Sequence, residues 1–266
     1  MISTPTNLRT YKAVLVLNNS GVTLLQRHRY HDALTTFKDA SDLMSCIRDG
    51  DRKQMSDEKA TIFLEKASAR MSKSTRIGVG DQKKIASNCI ITVIYQGECS
   101  YSDAIMTTFP ELFHGFAYML AYDEDCVDDT TDTAMLLHNF SVAIRLKVHH
   151  TGLRHHNSSG NIKMMDFAYK VERAADKILN ECIATSAHDC GFYSPLRNCE
   201  ETIQLAIVVV KDLRLLSQEI QQKEDARNAD PKYFEQLSQL QTLLFDLRDS
   251  RFNCNLSKDA TAAQAA

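Results

Sequence analysis

Apolar residues recur at three- and four-residue intervals along most of this chain, and that spacing restricts it to helices packed on helices. From Asn7 to about Arg27 they fall at Leu8, Tyr11, Val14, Leu15, Leu17, Val22, Leu24 and Leu25. From Tyr30 to Ile47 they continue at Ala33, Leu34, Phe37, Ala40, Leu43 and Met44. Each set covers one broad side of a helix, and the short break between them makes a hairpin over 7–48. The same argument predicts hairpins over 131–184 and 199–252. In the former, Leu136, Phe140, Ala143 and Ile144 are answered by Met165, Ala168, Val171, Ala175 and Leu179. In the latter, Asp230 and Pro231 signal the start of a helix bearing Phe234, Leu237, Leu240, Leu244 and Leu247. Nine glycines, four prolines and no tryptophan in 266 residues suit helices better than a turn-rich sandwich.

Two stretches break the helical pattern. Cys89–Tyr95 is rich in β-branched and aromatic residues and Phe113–Tyr122 is a second apolar run, with Gly97, Ser100, Ser102 and Pro110 between them. This predicts a small β-hairpin around 88–122, inside an inserted segment over 76–122. Ser56 is placed to cap a third helix ending at Met71, polar on most faces and therefore expected to be exposed or a connector. Thr131 or Asp132 is expected to cap the helix that runs to His149. With 253–266 read as a disordered tail, the expected architecture is a single, mainly α domain over 1–252.

In the first hairpin, Asn19-Ser20-Gly21-Val22-Thr23 is followed by Tyr30, Ala33, Phe37 and Ala40. This resembles the tetratricopeptide repeat, in which a small residue on the first helix admits the second helix closely. Leu17 stands where the family has a bulky aromatic, and Ser45 where it has a terminal proline. Asn139-Phe140-Ser141-Val142-Ala143 repeats the first line, and Ala168 and Ala175 keep the spacing of Ala33 and Ala40. About 90 residues separate units that in the family follow one another directly, at a period of about 34. The resemblance implies a divergent TPR-like superhelix whose concave groove, lined by first helices, binds a partner peptide or protein. It also implies that Asn19 and Asn139 contact that partner, because an amide both donates and accepts. Val22 stands where a full carboxylate clamp needs a second asparagine.

Charge excludes other classes. A net charge of −3 with mixed signs gives no basic stripe for nucleic acid. No run approaches the ~20 apolar residues of a membrane span. The eight cysteines form no Cys-x-x-Cys pair, which points to reduced, structural thiols in the cytoplasm or nucleus. The acidic run Asp123–Asp129 lacks the glycine and closing glutamate of an EF-hand loop and reads as solvated. No phosphate loop, nucleophile elbow, zinc-protease helix or dinucleotide fingerprint occurs, so neither catalysis nor a cofactor is expected. The alternative is a metal-binding protein or metalloenzyme using His149, His150, His155 and His156, with His138 nearby.

Overall fold

A computed structural model describes residues 5–48, 53–73, 91–95, 116–120, 129–152, 159–189, 196–221 and 231–264. It is mainly helical, with seven helices among the described residues. These are α1 (Pro5–Gln26), α2 (Tyr30–Arg48), α3 (Lys53–Ser72), α4 (Asp129–Gly152), α5 (Ser159–Asp189), α6 (Leu196–Gln221) and α7 (Pro231–Gln264). Two strands, β1 (Ile91–Tyr95) and β2 (Phe116–Leu120), lie between α3 and α4 in sequence.

The chain divides into two compact units, Met1–Glu172 and Arg173–Ala266, where one domain over 1–252 was expected. The boundary falls inside α5 for a reason of length. At 1.5 Å per residue α5, with 31 residues, is about 46 Å long, whereas α4 with 24 reaches about 36 Å. Only part of α5 can lie against its hairpin partner. Its second half carries Asp176, whose carboxylate accepts from Gln236 Nε2 of α7 at 2.7 Å.

In the first unit α1 and α2 form the expected hairpin. Leu17, Leu24, Leu25, Phe37 and Leu43 are fully buried, each worth about 1.5–3 kcal/mol of burial. The turn between them is closed by His28 N donating to Leu25 O and Arg29 N to Leu24 O, both at 2.9 Å. His28 itself takes φ 57°, the left-handed conformation that ends many helices. Its Nδ1 lies 2.9 Å from the Tyr30 hydroxyl.

Burial pushes the Tyr30 phenol above its ordinary value of 10.0. The unfolded chain therefore ionises first, so this contribution is complete below about pH 10 and lost as pH rises toward the folded value. Between about pH 9 and pH 11 the denaturant midpoint should fall less in Tyr30→Phe than in the wild type.

Three expectations need correction here. The third helix begins at Lys53, so Ser56 sits inside its first turn and does not cap it. Nor is α3 an exposed connector. It packs on both α1 and α2 through Ala60 and Ala67, which are almost fully buried. Alanines let helices approach closely yet contribute little to an apolar pattern, which is why the polar sequence concealed the contact. Arg70 secures it, donating through Nη1 to Asp39 at 2.8 Å and to Thr36 at 3.0 Å. The strands, too, are not a hairpin. They pair in parallel, Ile91 opposite Phe116 through Tyr95 opposite Leu120. A hairpin needs only a tight turn, but parallel strands need a crossover of a dozen or more residues, and 96–115 provides that length.

The second expected hairpin is present as α4 and α5. His138 meets Glu172 and Ser141 Oγ donates to Ala168 O at 3.1 Å, which is antiparallel order, and the Phe140 and Phe167 rings meet edge to face beside them. Because α4 already starts at Asp129, Thr131 and Asp132 are first-turn residues and not its cap. The acidic run 123–128 and the turn at 153–158 lie outside the described residues.

In the second unit α6 and α7 are antiparallel, as Arg248 Nε to Glu200 at 3.0 Å and the Arg214 guanidinium over the Phe234 ring, 4.1 Å from its centre, require. The expected tail over 253–266 is helical as far as Gln264. Alanine is the strongest helix former, and no proline or glycine follows Pro231, so nothing in that stretch stops the helix.

Candidate functional site

The first unit carries a row of polar side chains between helices that are otherwise apolar. Asn139 of α4 donates from Nδ2 to Asn18 Oδ1 of α1 at 2.8 Å, both residues fully buried. Asn18 in turn donates to Asn19 Oδ1 at 3.2 Å. Seven residues earlier on both helices, the Tyr11 hydroxyl bonds Asp132. Seven residues are close to two helical turns, so Tyr11 and Asn18 share one side of α1, and Asp132 and Asn139 one side of α4. Two bonds with the same sequence offset fix α1 and α4 parallel and in one register. An apolar contact tolerates sliding, whereas a slipped buried amide is left unsatisfied at about 1–3 kcal/mol. The row therefore sets alignment more than total stability.

Asn139→Ala is expected to cost about 1–3 kcal/mol, because Asn18 Oδ1 loses that donor in a dry site. Asn18→Ala together with Asn139→Ala should cost less than the sum of the two, with a coupling of about 1 kcal/mol measured by urea unfolding.

One residue before Asn139 on α4, about 100° round the helix, His138 Nδ1 stands 2.7 Å from Glu172 Oε1, and both side chains have 0% exposure. A single proton shared between Nδ1 and Oε1 makes the hydrogen bond by which the pair links α4 to α5. Arg145, 1% exposed, adds a cation to the same helix. Sequence spacing conceals such a pair, since His138 and Glu172 are 34 residues apart. The available signal is a histidine and an asparagine interrupting an apolar run at 134–148.

The expected partner-contacting asparagines separate. Asn139 is buried and bonded inside the unit, so it has no face for a bound peptide, and that expectation is corrected. Repeat spacing places a residue on a helix but does not reveal what will cover it. Asn19 is half-buried beside exposed residues of α1. Arg9, Lys12 and Val16 precede it at three- and four-residue intervals, and Thr23 and Gln26 follow. This stripe includes Val16, a large apolar side chain 53% exposed.

Of the four histidines considered for metal, His149 is half-buried on α4 and His150 follows it in the helix. His155 and His156 lie outside the described residues. His138 does not join them, because the eleven residues from His138 to His149 span about 16 Å of helix. Adjacent helical positions such as 149 and 150 also point about 100° apart. Among the described residues no helix is long and apolar enough to cross a membrane. No protein-family model, curated protein or solved structure matches this chain.

Proposed function

We propose that this chain is a protein-binding scaffold of divergent TPR-like hairpins, acting inside the cell without catalysis and taking a partner along its first helices, α1 and α4. The observation that carries the reading is the parallel, registered pairing of α1 with α4 through Tyr11–Asp132 and Asn18–Asn139. Stacked helical hairpins set their first helices side by side in this way, and such stacks bind along the surface so made. The two bonds share an offset of 121 residues, one residue from the offset at which Asn19 and Asn139 align in sequence. Gly21 against Phe37, and Ser141 against Ala168, supply the close approach of first and second helix in each hairpin. The stripe of exposed Lys12 and Val16 with half-buried Asn19 is the contact surface assigned to the partner.

The test compares wild type with Val16→Glu combined with Lys12→Ala, both side chains being exposed on α1. Partner capture followed by mass spectrometry should show at least one protein enriched by the wild type and reduced about tenfold with the variant, at an unchanged melting temperature. Equal capture by both proteins would overturn the assignment of the surface. If nothing is captured and the purified chain carries stoichiometric zinc, the histidine alternative replaces the scaffold.

A further inference from the structure

Among the described residues, the two most exposed large apolar side chains are Phe245 of α7, at 70%, and Val16 of α1, at 53%. Each belongs to a solvent-facing stripe of its helix, and the two stripes carry opposite charge. On α1 the stripe consists of exposed Arg9, Lys12 and Val16 with half-buried Asn19 and Thr23, and the helix contains no acidic residue at all. On α7 it consists of Glu235, Gln239, Thr242, Asp246 and Asp249, all exposed. The one basic residue in that span, Arg248, is turned to Glu200 of α6 at 3.0 Å. Phe245 stands three residues after Thr242 and four before Asp249, so it borders the same side of the helix.

We infer that the α1 stripe receives the α7 stripe of a second copy of this chain, with the two helices antiparallel. This rests on the scaffold reading and names the partner as the chain itself. Read from opposite ends, the two stripes have the same intervals of three, four, three and four residues. Arg9 then faces Asp249, Lys12 faces Asp246, Val16 faces Thr242 with Phe245 beside it, and Asn19 faces Gln239. The charged pairs fall at one end and the amide pair towards the other, and the two exposed apolar side chains meet between them. A parallel alignment puts the intervals out of step and leaves Asp246 and Asp249 against Asn19 and Thr23, without a cation. Helix dipoles also favour the antiparallel choice, and a carboxylate suits the N-terminal half of α1, whose first turn has no acid. Exposed ion pairs are worth little and exchange partners readily, so both stripes can give up solvent-side contacts for this one. Each stripe spans about 21 Å of helix. That is small for a specific interface, so association is weak and develops only at high protein concentration. The contact joins different surfaces of the two copies, which makes it heterologous.

Sedimentation velocity of the whole chain over about 5–500 μM should show the average mass rising with concentration. The rise should shrink at about 1 M salt, where exposed charges are screened within about 3 Å. Lys12→Glu and Asp246→Lys change exposed side chains, so each variant should keep the wild-type melting temperature. Each should weaken self-association about tenfold or more, because it sets like charges face to face. Mixed together, the two variants should associate again, since Asp246→Lys keeps an intact α1 stripe and Lys12→Glu an intact α7 stripe. A chain carrying both changes should also regain association, the pair having only exchanged signs. A wild type that stays monomeric over the whole range overturns the inference. So does a mixture of the two variants that stays as weak as either alone, which would mean that the copies meet through one surface common to both. If the wild type does not self-associate but captures another protein through Val16 and Lys12, the scaffold reading stands and this inference alone fails.

Discussion

Replacing His138 with alanine is expected to cost the first unit about 3–5 kcal/mol, the largest loss of any single substitution considered. The reason is what remains behind. Glu172 lies 2.7 Å from the imidazole with no exposed surface, so deleting the ring leaves its carboxylate in a dry site without that donor. The intact pair adds little net stability, because taking its polar groups out of water consumes most of what their contact gains. The combination His138→Leu with Glu172→Met removes both polar groups and fills much of the volume. It should recover most of the lost stability. Denaturant unfolding of the two single variants and the double variant measures this directly. A double variant as damaged as the singles would mean that the pair does more than satisfy itself.

The second large effect is at Gly21. A Cβ there would stand 2.6 Å from Phe37 Cε1, 2.7 Å from Cζ and 2.9 Å from Cδ1, well inside contact distance. Phe37 is completely buried, so its ring has no open space into which to swing. Gly21→Leu should therefore destabilise by about 3 kcal/mol or more, through overpacking between α1 and α2. Gly21→Ala should cost less. Alanine is about 1 kcal/mol better than glycine within a helix, and this gain offsets part of the collision. Combining Gly21→Ala with Phe37→Leu opens the space opposite the new methyl group, and it should be less damaging than the sum of its parts. If Gly21→Leu unfolds at the wild-type midpoint, the two helices do not meet at this glycine.

Both sites show where sequence is informative. Gly21, Ala33, Phe37 and Ala40 carry their spacing openly, and the hairpin they predict is the one that forms. His138 and Glu172 carry no such mark. Each is an ordinary polar residue on its own helix, and only the antiparallel pairing of α4 with α5 brings them together. The same holds for Asn139. Its position matches Asn19, yet its surroundings come from α1, more than a hundred residues away. A sequence periodicity can state which face of a helix a residue occupies, but not which element will cover that face.

The insertion makes the point in another way. β-branched residues mark Ile91–Tyr95, and an apolar run with two aromatics marks Phe116–Leu120, because such residues fit a pleated surface. Their direction depends on the path of the chain between them, which composition does not encode. Likewise α3 is visible as a helix but not as a packed one, since its buried apolar contacts are made by alanines and the rest by polar groups such as Asp57 and Arg70.

By itself, then, the sequence determined the helices, the three hairpins and the close approach at Gly21, because periodicity and residue size act over a few turns. Tertiary structure decided the parallel register of α1 and α4, the burial of Asn139, the His138–Glu172 pair and the place of β2 on the first helices. Those features join groups distant in the chain, and their energies exist only once the intervening helices have brought them into a site closed to water.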